Sequence, residues 1–303
     1  MTDHALPTSG DSLWPDHVAH SVTDLDRAFE RLEQLGFALT PRSKQLAPGA
    51  DGKLAETGMA NHCIMLRRGY LEISGALFDG SAAVAGFRQQ LQRHVGLHLI
   101  AFGSPDPLAQ VERLNRVGFS PASSMNYQRM VETETGEELA RFTLATSPRD
   151  LMPEARMIMV RHETPDLLWQ KRWLDHANGA LALEDVVLAV QDPEDSAARL
   201  ERFTGARSER MGAGRSLALA RGRLDLLPGQ AARRDFPRVP PLPAIAGYVL
   251  RVVDASATAA FLSERCGKDE IAAGRGWARV DGGDVIGGVI WFAEENARLP
   301  WRA

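Results

Sequence analysis

The chain has 303 residues, 44% of them hydrophobic and 24% charged, with a formal net charge of -4. That length exceeds one ordinary core and fits about two domains of a globular protein. The charge balance offers no basic field for nucleic acid, and no apolar run approaches the ~20 residues that span a bilayer, so neither partner is expected. Residues 1–14 read as a polar tail without the charged-then-apolar order of a signal peptide. Cys63 and Cys266 stand far apart in apolar surroundings, which predicts free thiols in a reducing cytoplasm.

In chain order, residues 16–22 alternate as a strand and Asp24 caps the helix that follows. Leu25, Ala28, Phe29, Leu32 and Leu35 fall on one face of that helix, and Gly36 stops it. Residues 41–57 are rich in Pro, Gly and Lys and read as a long loop. Residues 61–66 and 70–74 form a hairpin around Arg67-Arg68-Gly69. The unit is β-α-β-β-β. A helix over 87–93 links it to a second unit, whose strand is 95–102, whose helix carries Leu108, Val111, Leu114 and Val117, and whose Gly118-Phe119 repeats Gly36-Phe37. Its extended segments are 127–133, 139–146 and 156–161, and a tryptophan-bearing irregular connection covers 164–178.

Residues 183–192 overlay residues 15–24 without a gap and open a third unit. The proline run at 236–243 is a surface linker. A fourth unit carries strands at 248–253, 277–280 and 289–293 with a helix over 255–266. The sum is an α+β fold of four βαβββ modules in two pairs, with one domain at 15–180 and a second at 181–303. Each pair curves into a half-open barrel whose concave face is a natural pocket.

The stretch Asp16-His17-Val18 to Asp24-Leu25, with Gly58-Met59-Ala60-Asn61 and Tyr70-Leu71-Glu72-Ile73, resembles the vicinal oxygen chelate superfamily, and within it the glyoxalase-like domain proteins. The runs His162-Glu163-Thr164-Pro165-Asp166-Leu167-Leu168-Trp169 and His176-Ala177-Asn178-Gly179-Ala180 resemble the same group. The resemblance covers about residues 15–180 and extends beyond them only as a repeat pattern. It implies metal ligands on the first and last strands of each paired unit, which selects His17, Glu72, His98 and His162. It also implies that Glu72 doubles as ligand and displaceable base.

Strand parity supports part of that set independently. His17 shares a face with Ala19 and Ser21, small residues that leave room, and the Glu72 carboxylate points away from Leu71 and Ile73. Imidazole and carboxylate suit a divalent Zn, Ni, Fe, Mn or Co. His62 depends on the hairpin turn: with three turn residues it shares the face of Glu72, with two it flips to the other side. Tyr70, Trp169 and His62 are the candidate substrate contacts. In the third unit Asp185 stands where His17 stood and Asp225 where Glu72 stood, so the second half keeps the fold and loses the imidazole.

Three functions follow. The first is a metal-dependent isomerase or lyase of glyoxalase type, acting on a small oxygenated molecule through a stabilised enolate. The second is an Fe(II) extradiol ring-cleaving dioxygenase using His17, His98 and Glu72. The third is a metal-free small-molecule-binding protein. A homodimer is compatible with each.

Overall fold

The computed structural model describes residues 13–48 and 54–302. The tail expectation up to residue 12, and the loop reading at 49–53, lie outside the described residues.

β1 (Trp14–Ser21) leads into α1 (Leu25–Gln34), then β2 (Ser43–Pro48), β3 (Leu54–Met65) and β4 (Tyr70–Ala76). After α2 (Ala82–Leu91) the second unit comprises β5 (Gly96–Gly103), α3 (Pro107–Arg116), β6 (Ser123–Thr133), β7 (Gly136–Thr146) and β8 (Arg156–His162). A short α4 (Pro165–Leu168) and irregular chain lead to β9 (Ala182–Val190), α5 (Pro193–Thr204), β10 (Ser208–Met211), β11 (Gly214–Ala218) and β12 (Arg223–Pro228). Then come α6 (Gly229–Asp235), β13 (Ala244–Arg251), α7 (Ala255–Ser263), β14 (Ile271–Gly274), β15 (Trp277–Asp281), α8 (Gly283–Ile286) and β16 (Val289–Ala293).

The repeat has a chemical marker. Asp24, Asp106, Asp192 and Asp254 accept first-turn backbone amides of α1, α3, α5 and α7. One carboxylate per unit thus satisfies the amides that a helix start leaves bare. Gly36, at φ 83, supplies the left-handed residue after α1.

The first eight strands close into a barrel in the order β1-β4-β3-β2-β6-β7-β8-β5, and the other eight form a sheet in the order β10-β11-β12-β9-β13-β16-β15-β14. In each half the first strand runs parallel to the last strand of its own unit and antiparallel to the first strand of the next unit. Closure of the first barrel differs from the half-open expectation. The segment read as loop contains β2 and the start of β3, and β2 meets β6 where Gln45 pairs with Arg129.

The largest apolar cluster belongs to both halves, with Val18, Leu32 and Ile100 from the first and Leu188, Tyr248 and Phe292 from the second. Arg113 of α3 reaches the carbonyls of Arg202 and Phe203 on α5. His20 is fully buried at this seam, with Nδ1 2.7 Å from the Ile286 carbonyl and Nε2 3.1 Å from the Tyr248 hydroxyl. Burial pushes its pKa down to about 4, so it sits there neutral, donating through Nδ1 and accepting through Nε2. Cys63 and Cys266 are free thiols. Among the described residues no helix is long and apolar enough to cross a membrane.

Candidate active site

A cavity of about 400 Å³ opens inside the barrel, between the strands and α2. The inward positions of β1 supply His17, Ala19 and Ser21 to it, and those of β4 supply Tyr70, Glu72 and Ser74. This follows from the register, in which Ala19 lies opposite Glu72 and each alternate side chain turns inward.

His17 is held from behind. Its Nδ1 lies 2.7 Å from Asp16 Oδ1, and His162 Nε2 lies 3.0 Å and 3.1 Å from the two oxygens of the same carboxylate. Burial alone would raise the Asp16 pKa, but the charges and hydrogen bonds of His162 and His17 outweigh it and hold the carboxyl well below the usual range. An ionised carboxylate only accepts, so both histidines must donate to it. That fixes a proton on His17 Nδ1 and turns its Nε2 toward the cavity. Tyr70 stacks on the imidazole at 4.2 Å, and its hydroxyl is 3.4 Å from Nε2. Burial pushes the Tyr70 phenol well above its ordinary pKa, so it remains a donor.

Glu72 is oriented in the same way. Its Oε1 accepts from Asn61 Nδ2 at 2.6 Å and from Ser74 Oγ at 2.9 Å. Its Oε2 stands 3.9 Å from His17 Nε2. Two acceptor atoms, one imidazole nitrogen and one carboxylate oxygen, therefore face one space. The imidazole is locked from behind the wall by Asp16, and the carboxylate by Asn61 and Ser74, which line the cavity beside it.

The other expected residues go elsewhere. His98 occupies a β-bulge: Leu99 pairs with Ala19 and Leu97 with His20, which leaves His98 as the extra residue. It turns out of the barrel, stacks on His94 at 3.9 Å and donates from Nε2 to the His94 carbonyl at 2.9 Å. Burial, with His94 beside it, lowers its pKa to about 4. His162 joins the site only through Asp16. The hairpin has the two-residue turn, with Met65 opposite Tyr70 and His62 opposite Ile73, so His62 faces α1. There it packs 4.9 Å from Phe29 and donates from Nδ1 to the Thr40 carbonyl. Trp169 packs against His162 at 4.8 Å and donates to the Leu66 carbonyl, behind the cavity wall.

The resemblance implies a divalent metal, and the donors decide whether one fits. From β1 and β4 come His17 Nε2 and Glu72 Oε2. From β5 and β8 come Leu99, Arg156, Ile158 and Val160, none of them a metal-ligand type. Among the described residues no three His, Cys, Asp or Glu side chains converge as a metal site. Resident catalytic metals take about three protein ligands or more. The ligand set His17, Glu72, His98 and His162 is thus not assembled, and the residues present do not fit a resident divalent ion.

Sequence reasoning passed over Asp16, Asn61, Arg129 and Arg156. Arg129, on β6, and Arg156, at the start of β8, both line the cavity. Arg129 stands at the same parity as Tyr127 and Val131 within an extended segment, a pattern that marks an inward arginine.

In the second half a cavity of about 350 Å³ reaches Asp185 and Arg302 but, unlike the first, does not reach both inward acids, since Asp225 is outside its lining. Asp185 and Asp225 occupy the positions of His17 and Glu72, since Asp225 lies opposite Val187 as Glu72 lies opposite Ala19. Both are bound by Arg302, whose Nη2 is 2.8 Å from Asp185 and whose Nε is 2.8 Å from Asp225. Trp301 Nε1 and Ser216 Oγ complete the Asp225 shell at 2.8 Å and 2.7 Å. Burial and the Asp225 charge push Asp185 up to about 6 despite Arg302. Phe236, Trp291 and Trp301 pack beside them.

Known structures share the fold at low identity. A hypothetical protein from Staphylococcus aureus superposes with a TM-score of 0.64 at 11% identity, covering 93% of this chain and 99% of its own. A mutant 4-hydroxymandelate synthase from Streptomyces coelicolor gives 0.59 at 12%, covering 96% and 95%. The Mn(II)-bound glyoxalase from Novosphingobium aromaticivorans gives 0.52 at 11%, covering 97% and 85%. No curated protein matches the chain in sequence. The model of the glyoxalase-like domain family, however, matches residues 16–204, and the chain belongs to that family.

Proposed function

We propose that the barrel cavity is the active site of an isomerase or lyase that moves a proton on a small oxygenated molecule, with His17 as general base. The observation that carries this reading is the Asp16–His17 pair. A buried carboxylate fixes the tautomer and orientation of an imidazole whose other nitrogen faces a chamber.

The carboxylate also stabilises the imidazolium that forms once His17 has taken a proton. Glu72 Oε2, at 3.9 Å, lies close enough to the same substrate region to return or receive the second proton. Abstraction from one carbon and return to its neighbour makes an isomerase. Loss of a leaving group from the intermediate makes a lyase.

The test is proton exchange. The protein is incubated in D₂O with small 2-oxo and 2-hydroxy acids, and loss of the C–H signal is followed by NMR. Exchange catalysed by the wild type and reduced about 100-fold or more in His17→Gln is the expected result. No catalysed exchange in any compound overturns it. The alternative that Glu72 and His17 serve a metal is favoured by their facing atoms alone. Stoichiometric Mn, Fe, Co, Ni or Zn after purification, lost in His17→Ala, would establish that alternative instead.

A further inference from the structure

The cavity carries unbalanced charge. Arg129 is only 6% exposed, and its guanidinium cannot be deprotonated in a protein. Its hydrogen bond goes to Cys63 Sγ at 3.5 Å, and the group lies 5.9 Å over the Phe142 ring. Neither neighbour is an anion, and among the described residues no carboxylate pairs with Arg129. Arg156, half-buried on the same wall, likewise has no carboxylate partner among them.

Two other guanidiniums do meet buried carboxylates. Arg199 meets the fully buried Glu154 side chain at 2.9 Å, and Arg302 meets both Asp185 and Asp225. Burying a charge without a paired counter-ion costs several kcal/mol, so guanidiniums that outnumber the carboxylates lining a barrel point to an anion that arrives from outside. Three guanidiniums, Arg129, Arg149 and Arg156, line the cavity against the single lining carboxylate of Glu72 and leave it with excess positive charge. The planar fork of a guanidinium also matches a carboxylate in shape. The rest of the wall near these groups is apolar, with Leu99, Leu144 and Ile158.

We propose that the ligand is a small organic acid, its carboxylate paired with Arg129 and Arg156 and its apolar body against the aliphatic wall. The proposal rests on the proton-transfer reading of the same cavity and adds the charge and character of the substrate. It also gives that reading a stabilising group. Removing a proton next to a carboxylate puts further negative charge on the substrate, and fixed cations in a water-poor chamber lower the energy of that state.

Binding of benzoate, phenylacetate and hexanoate is compared by calorimetry with binding of the corresponding amides, which match them in size and lack the charge. The wild type should prefer at least one acid over its amide by about 10-fold or more. Arg129→Met and Arg156→Gln should lose that preference, and His17→Gln should keep it. Free Arg129→Met should also melt a few degrees above the wild type, because the substitution removes a buried unpaired charge. If no acid is preferred over its amide, or if free Arg129→Met melts lower while acid preference survives in Arg156→Gln, the proposal is overturned. Acid preference without proton exchange in D₂O defeats only the proton-transfer reading. Exchange without acid preference defeats only this proposal.

Discussion

At one place in the fold the two halves hold opposite solutions. In the first, His17 and Glu72 face an open chamber with three arginines that form no carboxylate ion pair among the described residues. In the second, Asp185 and Asp225 face Arg302, and three aromatic rings pack beside them, leaving a smaller cavity that reaches Asp185 but not Asp225. The backbone arrangement is shared down to the residue pairs opposite Glu72 and Asp225. A pair of βαβββ units therefore makes a cup without deciding whether it stays empty. The side chains that satisfy the inward charges decide that, and in the second half Arg302 satisfies both acids.

The comparison can be broken most sharply by one substitution made in both cups. Arg302→Met strips the cation from two buried carboxylates and should cost about 3–5 kcal/mol, read as a lower urea midpoint. That is opposite in sign to the effect expected for Arg129→Met. A neutral result for Arg302→Met would remove the distinction between the filled and the open cup.

The seam between the halves gives the next largest effect. His20 has a folded-state pKa of about 4, below its value of 6.5 in the unfolded chain. Its contribution is therefore complete above about pH 6.5 and is lost as pH falls toward about 4, by roughly 3 kcal/mol at the limit. Urea midpoints across that window should decline in the wild type and decline less in His20→Gln. Equal slopes would show that the seam does not carry the acid sensitivity. The smallest effect belongs to the site itself. His17→Gln should change stability by no more than about 1 kcal/mol, because Asp16 keeps His162. A larger loss would make His17 a structural residue, like Arg302.

The fold was legible because its signals are local. Alternating strands, a capping aspartate and a glycine stop recur within each unit, and each works through neighbours a few residues away. The inward placement of His17 and Glu72 was legible for the same reason, since strand parity needs no partner. What escaped depended on distant contacts or on a shift of one residue. A single bulge moved His98 from the cavity to the His94 stack, and nothing in the local pattern of β5 announces it. The two-residue turn sent His62 to the helix side, one of the alternatives that the hairpin sequence allowed. Asp16 was passed over because its role appears only when His162, far along the chain, is brought against it. The capture of Asp185 and Asp225 by Arg302 likewise joins segments that no window of sequence contains.

The apolar layer between the two sheets has a consequence for why a filled half persists. Residues of both halves interleave in it, and α1, α3, α5 and α7 all contribute. Cutting the chain at the irregular connection would leave each fragment with a face built to be covered by the other. Each half is thus the other's dry side: the second sheet covers apolar surface on which the first barrel rests, whatever either cup holds.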